Sequence, residues 1–385
     1  MAAFNIDQLL INESGRIGPD IYSKSLNTSP WLKLVKKASW PDEMGSSLSV
    51  LTYQRSLPAN SLTWSDVNFN TGTGNNCVPS AQVVEFAQTL RTYNLNQSAI
   101  ESPKFCVNDL RFSLRRKDQL SHIFRILTEN TRNAWIDRHR DEFTRLAEHK
   151  VIATAALPEG SASFPLVSPT SRLTQGMLER YYMKLIRDGA SQSAYGRENG
   201  RPQFAIITSS EASRSVILDN AAIREDYRYS TKVNELLAPL GVERSYGGFF
   251  HMIDDFGPRY DFVAGAWVRR RPYAPVATTH GNKFDVNPLY ESAAFEDTFV
   301  FSSDVMETLI PTPISSPGGN LKFDPVSYMG DFKWNNIADE EKNPDGTIGY
   351  FRAVLSSGSK PIFPEWGYVI RTLRCNSNLN LLACS

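Results

Sequence analysis

A chain of 385 residues has room for two or three domains of ordinary size. Its 41 Lys and Arg balance its 41 Asp and Glu; a dedicated nucleic-acid binder would show a basic excess, and zero net charge leaves little self-repulsion to oppose dense association. An apolar share of 41% with 11% aromatics excludes a disordered chain.

No stretch approaches the ~18 apolar residues of a membrane span, so no membrane partner is expected. The opening Met1–Asp7 has neither a basic region nor an apolar run, so no secretory signal is expected and synthesis is placed in the cytoplasm. The four cysteines, Cys77, Cys106, Cys375 and Cys384, are too scattered for a disulfide scaffold, and none forms the Cys-x-x-Cys pair of a zinc site.

In chain order, residues 1–45 are irregular, punctuated by Gly15, Gly18, Pro19, Pro30 and Pro41. Their short apolar pieces, Leu9-Leu10-Ile11 and Trp31–Val35, suit an extended arm anchored on something else. Ser47–Gln54 reads as one strand and Val83–Leu95 as the returning one, with a polar tip at Asn68–Asn76. A hairpin with so little core of its own needs a partner surface.

Lys104–Leu157 then runs for 54 residues without proline or glycine. Within it Leu120, Ile123, Phe124, Leu127, Ala134, Trp135, Phe143, Leu146 and Ala147 recur at helical spacing. The pattern predicts one helix over about 118–150, a rod of about 50 Å. Its middle, Asp137–Glu142, is polar all round, which predicts a spine with part of its length facing water or another subunit.

A compact α/β section follows. Thr174 is expected to cap a helix burying Met177, Leu178, Tyr181, Tyr182, Leu185 and Ile186, closed by Gly189. Phe204–Ile207 is a buried strand, and Thr208-Ser209-Ser210-Glu211 reads as a capping box opening a helix through Leu218. Ser230–Leu240 is a further helix and Asp261–Val268 a further strand. Beyond Glu296, strands are expected at Asp297–Phe301, Ile348–Leu355 and Tyr368–Cys375, with a short helix near Ser303.

The search for chemistry is nearly empty. Gly72-x-Gly74 lacks the third glycine and the Lys-Ser/Thr of a phosphate loop, and neither a Gly-x-Ser-x-Gly elbow nor His-Glu-x-x-His occurs. No cofactor is expected. His251, Asp254, Asp255 and Asp261 have donors for a divalent metal, but a solvated turn explains the aspartates equally. Arg115-Arg116-Lys117 and Arg269-Arg270-Arg271 suit either phosphates or a solvated face. The cysteines admit two readings, stapling in an oxidising medium or four reduced thiols. Trp31 and Trp64 lie in segments without an obvious local core, so each is a candidate anchor on a neighbouring subunit or a locally packed residue.

The order of these parts, arm, long β excursion, lone spine helix, α/β section and returning strands, resembles the major capsid proteins of tailed bacteriophages, the Hong Kong ninety-seven type of capsid fold. The resemblance covers nearly the whole chain. It is carried most specifically by Leu173–Arg180, by the strand-to-cap step Ile206–Glu211, and by Asn287-Pro288-Leu289-Tyr290 leading to Glu296–Phe301.

The resemblance implies an α+β fold with an N-terminal arm (1–45), an extended β-hairpin loop (46–105), a peripheral domain (106–169 and 291–385) carrying the spine, and an α/β axial domain (170–290). It further implies a structural protein and not an enzyme. Copies would join as hexamers and pentamers of an icosahedral virion shell, assembled in the host cytoplasm around non-specifically contacted double-stranded DNA. Scaffolding, portal and decoration proteins are possible partners.

Two departures stand out. Some members weld subunits through a lysine on the extended loop, yet no lysine lies between Lys37 and Lys104, so a non-covalent shell is expected. Others carry a cleaved N-terminal scaffolding segment; with no charged helical leader before the arm, a separate scaffold or none is expected. Two alternatives remain: an encapsulin-like nanocompartment shell, and a cytoplasmic metal-dependent hydrolase built on His251, Asp254 and Asp255.

Overall fold

The computed structural model describes residues 31, 34–40, 47–54, 87–94, 96–102, 104–106, 116–154, 161–198, 200–219, 244–276, 283–311, 330–337 and 348–374. In chain order the strands are β1 (Lys36–Trp40), β2 (Ser47–Gln54), β3 (Ala87–Asn94), β4 (Asn96–Glu101), β5 (Phe105–Cys106), β6 (His149–Ile152), β7 (Gly196–Glu198), β8 (Arg201–Thr208), β9 (Arg244–Tyr246) and β10 (Phe249–Ile253). They continue as β11 (Arg259–Val263), β12 (Ala266–Arg270), β13 (Tyr273–Val276), β14 (Lys283–Val286), β15 (Phe295–Phe301), β16 (Met306–Pro311), β17 (Gly330–Asn336), β18 (Ile348–Pro361) and β19 (Gly367–Leu373).

The chain divides into two units, Glu43–Leu95 and the remainder. In the smaller unit β2 and β3 pair antiparallel from Ser47↔Asn94 to Gln54↔Ala87, the hairpin expected from a strand and its return; the polar tip lies outside the described residues. Asn96–Glu101 and Phe105–Cys106 belong to the larger unit, because both pair with β18.

In the larger unit, one sheet is organised by β18, whose 14 residues pair with β16, β17, β4 and β5. β1 adds to β16 in parallel, Lys36 opposite Glu307. The other sheet is organised by β15. Along one edge β15 is paired with β19 over its whole length. Along the other, β8 takes its C-terminal end and β11 its N-terminal end. Both edges being occupied, all seven residues of β15 are buried.

The spine helix spans Arg116–Leu146, about 46 Å at 1.5 Å per residue. It stops four residues short of the expected Lys150. His149–Ile152 leaves the helix and joins β19 as a parallel strand, since the β-branched Val151 and Ile152 fit a buried ladder better than a last helical turn. Phe143 is buried in the spine's last turns, and its ring meets Phe299 and Phe301 of β15 at 5.8 and 5.1 Å. Trp31 enters the same cluster, 4.8 Å from Phe299 and stacked on Phe301 at 5.8 Å.

The α/β section follows the sequence reading closely. Thr174 caps the helix Gln175–Arg187 by accepting from the Met177 N–H at 3.3 Å. Met177, Leu178, Tyr181, Tyr182 and Leu185 are buried on one face, and Gly189 turns the chain at φ 84°. The next helix is Ser210–Asp219, but its cap is Ser209 and not Thr208. Ser209 Oγ accepts from the Ala212 N–H at 3.0 Å, because Thr208 is still held as the last residue of β8.

Other expectations are corrected. Asp261–Val268 is not one strand but parts of β11 and β12, folded back at Ala264 (φ 51°) and Gly265 (φ 78°); two successive left-handed residues make the tight turn favoured in hairpins. The short helix near Ser303 is a turn that leads directly into β16. The helix expected at Ser230–Leu240 lies outside the described residues.

Candidate functional site: the Asp254 cluster and its buried charges

The four residues His251, Asp254, Asp255 and Asp261 do not converge. His251 is fully buried on β10. Asp254 Oδ2 accepts from Trp31 Nε1 at 3.0 Å and from Arg140 twice, Nε at 3.0 and a terminal guanidinium N–H at 2.6 Å. Asp255 Oδ1 accepts from the Ser210 N–H at 2.7 Å, complementing the first turn of that helix. Asp261 pairs with Arg270 at 2.7 Å and accepts from the Ala294 N–H at 3.3 Å. Each carboxylate is thus committed to a cation or a backbone donor. Among the described residues no group of three His, Cys, Asp or Glu side chains has metal-holding geometry.

The polar middle of the spine faces water on one side only, where Asp141 is exposed and the Asp137 side chain is half exposed. His139 and Arg140 are buried. His139 bonds the Trp135 carbonyl and Thr308 Oγ1, each at 2.9 Å, while Arg140 spans Asp254 and Asp137. A helical pattern of apolar residues cannot reveal this, because the cations carry the inward stripe through their partners. Burial pushes the Asp137 carboxyl up, although Arg140 and Arg269 pull it down.

The basic run Arg269-Arg270-Arg271 is largely neutralised within the chain. Arg269 pairs with Asp141 of the spine at 2.7 Å, Arg270 with Asp261, and Arg271 is exposed. The side chains of Arg115-Arg116-Lys117 lie outside the described residues.

Three further buried charges went unread in the sequence. Arg371 on β19 bonds Asp297 through two N–H···O contacts of 2.7 and 2.9 Å. Its guanidinium lies 3.7 Å from the Phe164 ring centre and 3.5 Å from that of Tyr260, with Trp267 at 4.5 Å. Arg374 grips both oxygens of Glu211 at 2.7 and 2.9 Å and donates to the carbonyls of Tyr290, Glu291 and Ala293, closing off the short helix Pro288–Glu291. Glu296 on β15 is buried, with Oε2 unpartnered. Burial pushes its carboxyl up to about 7, opposed by a hydrogen bond with Ser209, reinforced by Glu211 and opposed again by Arg374 and Arg259. The available signal was Glu296-Asp297 directly before the apolar run Phe299-Val300-Phe301 of the same strand.

Trp31 is fully buried in this chain's own core, where it packs locally. Trp64, Cys77, Cys375 and Cys384 lie outside the described residues. Cys106 is partly buried at the end of β5, opposite Ile348.

No protein-family model matches the sequence, and no curated protein matches it. Solved structures do. The capsid of Ralstonia phage GP4 is similar at a TM-score of 0.52 and 12% identity, over 92% of this chain and 90% of that one. The capsid asymmetric unit of cyanophage Pam1 is similar at 0.49 and 12%, over 91% and 93%. The holo-SrpI encapsulin complex of Synechococcus elongatus PCC 7942 is similar at 0.42 and 10%, over 89% and 87%. The chain therefore has the tailed-phage, Hong Kong ninety-seven type capsid fold, an α+β fold as the order of its elements implies.

Proposed function

We propose that this chain is the major shell subunit of a tailed-phage capsid and catalyses no reaction. The observation that supports this most is the fold it shares with the GP4 capsid chain over 92% and 90% of the two chains. Hexamers and pentamers of the subunit close an icosahedral shell around double-stranded DNA in the virion, with contacts to DNA that are non-specific. The unit Glu43–Leu95 fits this reading, since a two-stranded hairpin is marginal alone and gains its stability from another surface. Residues 1–45 act as the arm, 46–105 as the extended loop, 106–169 with 291–385 as the peripheral domain and 170–290 as the axial domain. Scaffolding, portal and decoration proteins are the further partners of such a shell.

The test is electron microscopy of the purified protein with light-scattering mass. Closed shells, or rings of five and six, with nuclease-protected DNA in particles from infected cells, are expected. Shells that enclose protein cargo and no DNA point instead to a nanocompartment, and a monodisperse monomer under all salt and scaffold conditions overturns the shell reading. With no lysine between Lys37 and Lys104, denaturing gels of shells should show one band and no reducing-agent-resistant ladder.

A further inference from the structure

The larger unit carries an apolar knob and an apolar groove at opposite ends of the sheet built on β15. The knob is the tip of the loop 161–171, where Leu166 and Val167 are 68% and 59% exposed. This loop contains no charged residue, and both its arms are pinned. Pro165 O accepts from Trp267 Nε1 at 3.1 Å, Phe164 stacks on Arg371, and the N–H groups of Thr170 and Ser171 reach Ala153 O at 3.0 and 3.2 Å. Two branched apolar side chains are thus held out to solvent on a fixed backbone, at little further entropic cost on docking.

The groove has a volume of about 910 Å³ and lies between the helix Gln175–Arg187 and the turns at Gly200 and Gly247-Gly248. Tyr182, Met183, Ile186 and Pro202 supply its apolar wall, and Met183 is 58% exposed. Glu179 and Arg201 carry the opposite charges on its lining. At Gly200 and Gly247 an added Cβ would meet nothing within 4 Å, so the space is open there. It is held in shape by Tyr182, whose hydroxyl donates to Pro202 O at 3.0 Å.

One copy cannot join its own knob to its own groove. Ala205 lies opposite Phe301 at one end of β15, and Tyr260 opposite Phe295 at the other. Gln203 in the groove and Trp267 beneath the knob (Trp267 opposite Phe262) lie two residues further out at either end. The separation is about 30 Å at the rise of a strand.

We infer that the Leu166–Val167 knob of one copy docks in the Tyr182–Met183–Ile186 groove of a second copy. Because the two patches differ, the contact is head-to-tail, and repetition closes a ring when the rotation between copies permits. An uncharged loop suits an apolar wall, and neither Glu179 nor Arg201 is left facing a like charge. This contact rests on the shell reading above and specifies which surfaces meet.

The test is a Leu166→Cys, Met183→Cys double variant, assembled and then oxidised, compared on non-reducing gels with the unsubstituted protein and each single variant. Shells whose subunits run as a ladder of dimers, trimers and higher rungs, in the double variant alone, are expected. Normal shells without that ladder, or with dimers only, overturn the docking and leave the shell reading intact. Failure of the unsubstituted protein to form shells overturns both. As a second readout, Val167→Asp should leave the subunit folded by circular dichroism and reduce assembly at least tenfold; unchanged assembly counts against the contact.

Discussion

Arg140 of the spine helix and Asp254 beyond β10 are joined through a single carboxylate oxygen, at 2.6 and 3.0 Å, with Arg140 1% and Asp254 7% exposed. The same oxygen accepts the indole N–H of Trp31. One buried carboxylate therefore ties the root of the N-terminal segment to the spine and to the sheet.

Removing that carboxylate leaves the buried guanidinium, among the described residues, with Asp137 at 2.5 Å and half exposed. Breaking a buried pair from one side costs about 3–5 kcal/mol. Asp254→Ala is expected near the lower end, read as a fall in the denaturant midpoint of unassembled subunits. Asp254→Asn, which keeps an acceptor for Trp31, should lose less. Equal midpoints for Asp254→Ala and the unsubstituted chain would falsify this role.

Glu296 should make the subunit less stable as the pH rises. Its folded carboxyl is pushed up to about 7, from an ordinary 4.5, by burial first and by Glu211. Between those values the folded state keeps a proton that the unfolded chain has released, so stability falls across this window and levels off above it. The shift corresponds to about 3 kcal/mol. Glu296→Gln should flatten the dependence and be more stable than the unsubstituted subunit at pH 8, checked by denaturant titrations at pH 5 and 8.

Adjacent glycines should respond very differently to the same change. At Gly248 (φ +82°) a Cβ would sit 2.2 Å from the Tyr182 ring, whereas at Gly247 (φ +62°) it meets nothing. Left-handed strain alone costs about 1 kcal/mol, so Gly247→Ala should lose that much. Gly248→Ala should lose about 3 kcal/mol, since overpacking adds to the strain. Thermal unfolding of the two variants side by side tests the order.

Arg371→Lys should destabilise by about 2 kcal/mol despite keeping the charge. A lysine cannot reproduce both bonds to Asp297 while its head lies flat between the Phe164 and Tyr260 rings. A thermal midpoint unchanged from the parent protein is the outcome against it.

The elements that rest on local rules could be read from the chain. Thr174 and Gly189 bracket their helix as caps, the Ser47–Gln54 pattern makes a strand, and the uninterrupted run after Lys104 makes the spine. What periodicity and capping chemistry determine needs only neighbours a few residues away. The tertiary structure alone decided where charges go. Asp137–Glu142 reads as polar, yet Arg140 is buried because Asp254, 114 residues later, compensates its desolvation. Trp31 reads as an unattached aromatic until Phe143, Phe299 and Phe301 close around it. The spine's final residues become β6 only because β19, more than 200 residues on, offers a ladder that outweighs one more helical turn. Local sequence set most of the elements, and long-range pairing set some of their ends and which of their side chains are inside.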